Sequence, residues 1–362
     1  MWNLGLFSNR IKYSLIQIMF KKGVFMACRV LFFDYRQSEE KFFKEHNFEN
    51  FDIRFFKESL DENFVENLTQ EDLEETMIIS VFINSSVSEN IISKFKNLRI
   101  ISTRSTGYDH ICLDSCAAKH IALINVESYG CTSVAQFTLA MMLMLVRNLY
   151  PMLLISEKHD SHMFESLCGR DLNKLTLGVI GTGAIGSAVC RYAHSFGMDI
   201  VACDPVQKKE LIAAFDVKYL DMEEVLKQSD ILTLHLPSAN ENYHMISYEQ
   251  LEMMKENSYL INVSRGEVVD TKALLEFAKQ GKFKGIALDV VACESSQNNG
   301  IDRTSLMCFE TSQAVKELSK LPNVILTPHM AYDTEEAIYY ILESTFEGIT
   351  DVLKGGHQYR VL

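Results

Sequence analysis

The sequence predicts an α/β protein with two domains, each built on a parallel sheet. Three observations carry this. At 362 residues the chain is long for a single hydrophobic core, so two domains are the default. Short apolar, β-branched runs alternate with helix-like segments, as strands do in parallel sheets. That alternation restarts at Leu175, with a strand that runs into a glycine-rich turn. The composition is that of an ordinary soluble chain, 47% hydrophobic and 23% charged. A net charge of -13 with no local basic patch argues against nucleic acid and anionic membrane as partners.

Residues 1–25 mix apolar and basic side chains, and their run YSLIQIMF is too short to span a bilayer. They read as an N-terminal extension without fixed structure, ahead of a domain that begins at Met26; an amphipathic surface helix is the alternative. RVLFF (29–33) is the first buried strand, and 35–47 is polar enough for a surface helix. MIISVFIN (77–84), RIISTRS (99–105) and HIALINV (120–126) are further strands. Residues 133–153 form a long apolar helix whose uncharged core is bracketed by Gln136 and Arg147; it reads as buried between domains or at a subunit interface. From Leu175 onward LTLGVIG, DIVACD, DILTLHLP, SYLINVS, GIALDV and NVILTPH are strands with their exits, and 294–305 is the most loop-like stretch. Nine scattered cysteines lack metal-ligand spacing and argue for a reducing cytoplasm with no metal site.

GTGAIG places glycines at 181, 183 and 186 between a strand and a helix, and Asp204 ends the next strand 23 residues after the first glycine. That context defines a dinucleotide site. Gly181 permits the tight turn, Gly183 lets backbone approach the pyrophosphate, and Gly186 lets helix and strand pack. The helix N-terminus adds amide donors. Asp204 accepts hydrogen bonds from the adenosine ribose and repels a 2′-phosphate, which favours NAD over NADP. The glycines identify a nucleotide and leave the reaction open, since flavin enzymes share this turn.

Three polar residues follow strands of the same half: Arg265 after LINVS, Glu294 after GIALDVVAC, and His329 after NVILTP. Ligands of open α/β sheets collect outside the carboxyl ends of strands. Singly each reads as a solvated or structural group; together they read as a functional set. A 2-oxo acid presents a carboxylate, which the planar fork of Arg265 can grip, and a ketone oxygen, which His329 can protonate. Glu294 paired with the imidazole would raise its pKa and fix its ring.

On GVIGTGAIGSAV, SDILTLHLP, LINVSRGEVVDTKALLEFAKQGKFKGIALDV and NVILTPHMAY the chain resembles the D-isomer-specific 2-hydroxyacid dehydrogenases, over essentially everything after Met26. ISTRSTGYDHI and MLMLVRN are most similar to the D-lactate dehydrogenase branch, including its vancomycin-resistance type. The resemblance implies two Rossmann-like/flavodoxin-like α/β domains separated by an active-site cleft. It assigns 26–126 and 330–362 to a substrate-binding domain and 127–329 to an NAD-binding domain. It makes Arg265, Glu294 and His329 catalytic. It extends the cofactor contacts from Gly181, Gly183, Gly186 and Asp204 to Ala184, Ile185, Pro237, Val263, Ser264, Asp289 and Thr106. Asp289 reads equally as a partner of the nicotinamide carboxamide or as a strand-end carboxylate satisfied by backbone amides. Substrate contacts are implied at Asn84, Ser85 and Tyr332 beside Arg265 and His329, and a homodimer is implied through the helix after Ser133.

The chain departs from common relatives at Gln136 and Phe137, at His110 where asparagine is frequent, and at Met330. The expectation is an NAD-dependent D-lactate dehydrogenase acting on pyruvate in the cytoplasm. A relative acting on phenylpyruvate, 2-oxoisocaproate or hydroxypyruvate is the alternative, and a non-catalytic NAD-sensing corepressor is the distant one.

Overall fold

A computed structural model describes residues 28–127, 129–158, 167–292, 306–357 and 360–362. The N-terminal extension and the loop at 294–305, with Glu294, lie outside the described residues. The chain folds into two compact units. One comprises the chain up to Arg104 with Asp109–Asn125 and Thr345–Leu362; the other comprises Ser105–Tyr108 and Val126–Ser344.

In the first unit, β1 (Cys28–Phe32), β2 (Phe51–Phe55), β3 (Ile78–Val81), β4 (Ile100–Thr103) and β5 (Ala122–Ile124) form a parallel sheet in the order β2-β1-β3-β4-β5. The fully buried runs Val30–Phe33 and Ile78–Ile79 are why the sequence reads as strand there. The edge strand β2 escapes that reading. Its Asp52 and Arg54 are charged, as edge strands favour, and they join surface ion pairs: Arg29 Nε with Asp52 at 2.8 Å, and Arg54 with Glu71 at 3.2 Å. The chain end closes the other edge, where the Val361 N–H donates to Leu123 O at 2.8 Å.

Arg104 is the buried polar centre of this unit, only 1% exposed. Its guanidinium donates to Phe33 O (2.7 Å) and Ser80 Oγ (3.1 Å), and it lies 3.9 Å over the Phe32 ring. Its Nε is 3.5 Å from the buried carboxylate of Glu39. Burial holds the Glu39 carboxyl above the usual carboxylate range, with Arg104 opposing that rise. The arginine therefore only partly offsets the cost of burying Glu39.

In the second unit, β6 (Thr176–Ile180), β7 (Asp199–Cys203), β8 (Lys218–Tyr219), β9 (Ile231–Leu234), β10 (Ser258–Asn262), β11 (Phe283–Leu288) and β12 (Val324–Leu326) form a parallel sheet in the order β12-β11-β10-β9-β6-β7-β8. The order reverses between β6 and β9, which is the switch point where nucleotides bind in this architecture. The two-residue β8 is too short to show in the sequence. The long apolar helix, Cys131–Val146, buries Val134, Ala135, Thr138, Leu139, Met141, Met142, Leu145 and Val146. It packs within this unit against the helix Ala184–Ser195 and β11. Residues 330–344 also pack here, so the chain passes to the first unit at Ser344/Thr345, inside the helix Glu335–Leu353, and not at 329/330. Ser133 Oγ and Thr334 Oγ1, hydrogen-bonded at 2.9 Å, help to hold that segment.

Replacing Arg104 with Met should lower the unfolding free energy by about 3–5 kcal/mol, since the Phe33 carbonyl would stay buried without its donor and Glu39 without its cation. Urea denaturation measures this; a loss below about 1 kcal/mol would show that water reaches the cluster.

Candidate active site

The glycine turn separates what the fold needs from what a ligand needs. Gly181 has φ +88, and a Cβ there would lie 2.5 Å from His235 O. A Cβ on Gly186 would lie 2.0 Å from Gly181 O. Both glycines are demanded by the protein's own backbone. At Gly183 a Cβ would meet nothing within 4 Å, and the residue is exposed at the start of the helix Ala184–Ser195. No contact within the described protein demands a glycine there. Asp204 stands beside it at the end of β7. Its Oδ2 accepts from the Thr182 N–H (2.6 Å) and its Oδ1 from the Val206 N–H (2.7 Å), which fixes the carboxylate at the rim of the turn.

Arg265 sits three residues beyond β10 in extended backbone, φ -141. Asn262, 1% exposed, shapes its loop: Oδ1 accepts from the Ser264 N–H (3.0 Å) and hydroxyl (2.8 Å), while Nδ2 donates to Arg265 O (2.8 Å). Gly266 is required by close approach and not by a turn. Its Cβ would lie 2.0 Å from the carbonyl carbon of Val291, on the segment leaving β11. The half-buried Arg265 donates to Ser264 O at 2.7 Å and forms no ion pair among the described residues. A guanidinium in that state is suited to receive an anion.

The next two strands end alongside. The pairing of β10 with β11 continues as the Asp289 N–H donates to Asn262 O, and that of β11 with β12 as the Thr327 N–H donates to Leu288 O. Asp289 is 2% exposed and its carboxylate accepts three hydrogen bonds. Oδ1 accepts from the Thr327 hydroxyl (2.6 Å) and the Met330 N–H (3.0 Å), and Oδ2 from the Ala331 N–H (2.9 Å). Its carbonyl accepts from the His329 N–H at 2.8 Å. His329 needs this bracing because its φ is +53. For a non-glycine residue that conformation costs roughly 1–2 kcal/mol. Asp289 thus clamps a strained turn that presents His329 at the same sheet edge as Arg265.

Two other histidines are unsuited to proton donation. Burial pushes His235 down to about 3, with Nε2 at 3.1 Å from Thr233 Oγ1. It pushes His110 to about 4 against the opposing pull of Asp34 and Asp109. Both imidazoles are neutral at pH 7.

The nucleotide turn, the engaged Asp204 and the ordered strand-end set form a dehydrogenase-like half, and the comparisons identify it. The model for the NAD-binding domain of D-isomer specific 2-hydroxyacid dehydrogenases matches residues 139–331. The chain is 36% identical to a D-specific alpha-keto acid dehydrogenase of Enterococcus faecium, over 75% of this chain and 82% of that protein. The chain belongs to the D-isomer-specific 2-hydroxyacid dehydrogenases. It is also 33% identical to an aromatic 2-oxoacid reductase of Clostridium sporogenes, over 76% of this chain and 83% of that protein. In structure the dehydrogenase is similar to the D-lactate dehydrogenase of Aquifex aeolicus in complex with NAD and lactic acid. The TM-score is 0.79 at 35% identity, covering 92% of this chain and 98% of that one.

Among the remaining residues singled out in the sequence, the dehydrogenase keeps Ala184 exposed and Ile185 half-buried on the helix that follows the turn, and Val263 and Ser264 buried beside Arg265. Pro237 is exposed after β9, its carbonyl accepting from Asn242 Nδ2 at 2.9 Å. Thr106, exposed, donates to Val126 O at 3.0 Å and lies in the second unit, where the nucleotide turn is. Tyr332 is buried edge-to-face against Tyr129, with ring centroids 5.8 Å apart. In the first unit Ser85 is 2% exposed and committed: its hydroxyl donates to Asp34 Oδ2 (2.6 Å) and accepts from the Leu60 N–H (2.9 Å), and its N–H donates to Phe82 O (3.0 Å). Asn84 beside it makes no hydrogen bond among the described residues. Sequence reading missed Asn262, because an asparagine inside a strand gives no sign of which turn it staples.

Gly183→Ala should weaken NADH binding at least ~10-fold while changing unfolding free energy by less than about 1 kcal/mol. Gly186→Ala should destabilise the fold itself. Unchanged NADH affinity in Gly183→Ala would contradict the assignment of this turn to the cofactor.

Proposed function

We propose that the protein is an NAD-dependent D-lactate dehydrogenase that reversibly reduces pyruvate. The observation that carries the proposal is Arg265: a half-buried guanidinium, fixed at a strand end, without an ion-pair partner among the described residues. A small 2-oxo acid supplies the carboxylate it lacks. NADH, when bound, supplies the hydride. His329 donates a ring proton to the ketone oxygen during reduction and accepts it back during oxidation. Asp289 acts through His329 as a positioning residue, holding the turn rather than reacting. Glu294 is proposed as the carboxylate that orients the imidazole, on the family resemblance alone. The first unit is proposed as the substrate-binding domain. Cytoplasmic location and a homodimer belong to the same proposal, on the scattered cysteines and the resemblance. The similarity to the Aquifex aeolicus lactate enzyme supports pyruvate as substrate.

A larger 2-oxo acid is the second reading, and the 33% identity to the aromatic 2-oxoacid reductase favours it. Steady-state NADH oxidation against pyruvate, 2-oxoisocaproate, phenylpyruvate and hydroxypyruvate, with chiral analysis of the product, separates the two. The proposal expects pyruvate to have the highest kcat/KM and the product to be D-lactate. A clear preference for phenylpyruvate would replace the lactate assignment, and an L-product would contradict the family reaction. Arg265→Gln should lower kcat/KM by on the order of 10³-fold with NADH affinity within about 3-fold of the parent. His329→Ala should lower kcat by about 10²–10⁴-fold. Full activity in either variant would remove that residue from its role.

A further inference from the structure

The first unit holds a buried carboxylate that the proposed chemistry does not use. Asp34 lies two residues beyond β1, 4% exposed, with φ +55. The sheet order β2-β1-β3-β4-β5 reverses between β1 and β3, and ligands of such sheets collect outside the carboxyl ends of those two strands. Asp34 stands at one of these ends and is bonded to the other. Its Oδ2 accepts from the Phe82 N–H at 3.0 Å and from the Ser85 hydroxyl at 2.6 Å. Its Oδ1 accepts from the Ser59 hydroxyl at 2.5 Å, on the loop that follows β2. The two oxygens thus serve two different loops.

The loop after β3 is a tight turn, closed by the Ser85 N–H donating to Phe82 O at 3.0 Å. The two residues that close it are the two that Asp34 Oδ2 holds. Between them, Ile83 and Asn84 are half-buried, and neither backbone N–H has a hydrogen-bond partner among the described residues. Successive free amides in a turn form a concave site for an anion. A bare carboxylate close by would repel that anion. The charge of Asp34 is instead met by its three donors, and the Arg104 guanidinium donates to its backbone carbonyl at 3.3 Å.

We propose that Asp34 is a positioning residue for substrate binding: through Phe82 and Ser85 it fixes the turn whose Ile83 and Asn84 amides receive the anionic end of the 2-oxo acid. The inference rests on the proposed role of the first unit as the substrate-binding domain. Steady-state kinetics of the full chain with its preferred 2-oxo acid, beside NADH titration and urea denaturation, test it. Asp34→Ala should raise KM about 10-fold or more, with kcat and NADH affinity within about 3-fold of the parent, as loss of a binding contact that is equal in ground and transition states requires. Ser85→Ala removes one bond to Oδ2 and should raise KM by at least about 3-fold, which keeps the proposal testable if Asp34→Ala does not fold. Ser59→Ala removes the bond to Oδ1 and should lower stability by a similar amount while leaving KM within about 2-fold. An unchanged KM in Asp34→Ala or in Ser85→Ala, or an equal rise of KM in Ser59→Ala and Ser85→Ala, would overturn the proposal. A parent that turns over no 2-oxo acid would instead overturn the functional reading beneath it.

Discussion

The carboxylate of Asp289 holds together the part of the molecule where chemistry is proposed. Three donors converge on it, from Thr327, Met330 and Ala331, and its carbonyl takes a fourth from His329. Such a concentration of bonds on one buried group is expensive to assemble unless every bond is made. Here it stabilises a histidine with positive φ at the end of an edge strand, a conformation that would otherwise relax. The same strand ends carry the Asn262 staple on the Arg265 loop and the passage of Val291 against Gly266. Arg265 and His329 are therefore set by their neighbours' polar groups and by a glycine, rather than by burial of their own side chains.

The glycines divide along the same line. Gly181, Gly186 and Gly266 each face protein atoms that a methyl group could not share. Gly183 faces none among the described residues. One turn thus contains both kinds of constraint, and a substitution series across it separates folding from binding.

The sequence revealed what is periodic or locally spaced. Both parallel sheets are legible as β-branched runs because those strands are buried on both faces, and the nucleotide turn is legible because its residues are consecutive. Arg265 and His329 emerge because each follows such a run. What stayed hidden depends on partners far along the chain. The donors to Asp289 from Met330 and Ala331 lie more than 40 residues later and have no local signature. Arg104 reads as one more polar residue after a strand until Phe33, Ser80 and Glu39 enclose it. The Ser85 hydroxyl is bonded to Asp34 and Leu60, a commitment no local pattern signals. The edge strand β2 was missed because Asp52 and Arg54 break its apolar run.

We propose that Asp289 serves His329 and not the nicotinamide. Substitution of Asp289 by Asn, which keeps the shape but removes the charge, decides it when kcat for 2-oxo acid reduction and NADH affinity are measured on the same preparation across pH 5 to 9. Positioning of His329 predicts that kcat falls by at least ~100-fold and that its pH profile moves, while NADH affinity stays within about 3-fold. A loss of NADH affinity with kcat and its pH profile unchanged would contradict the account and return Asp289 to the cofactor.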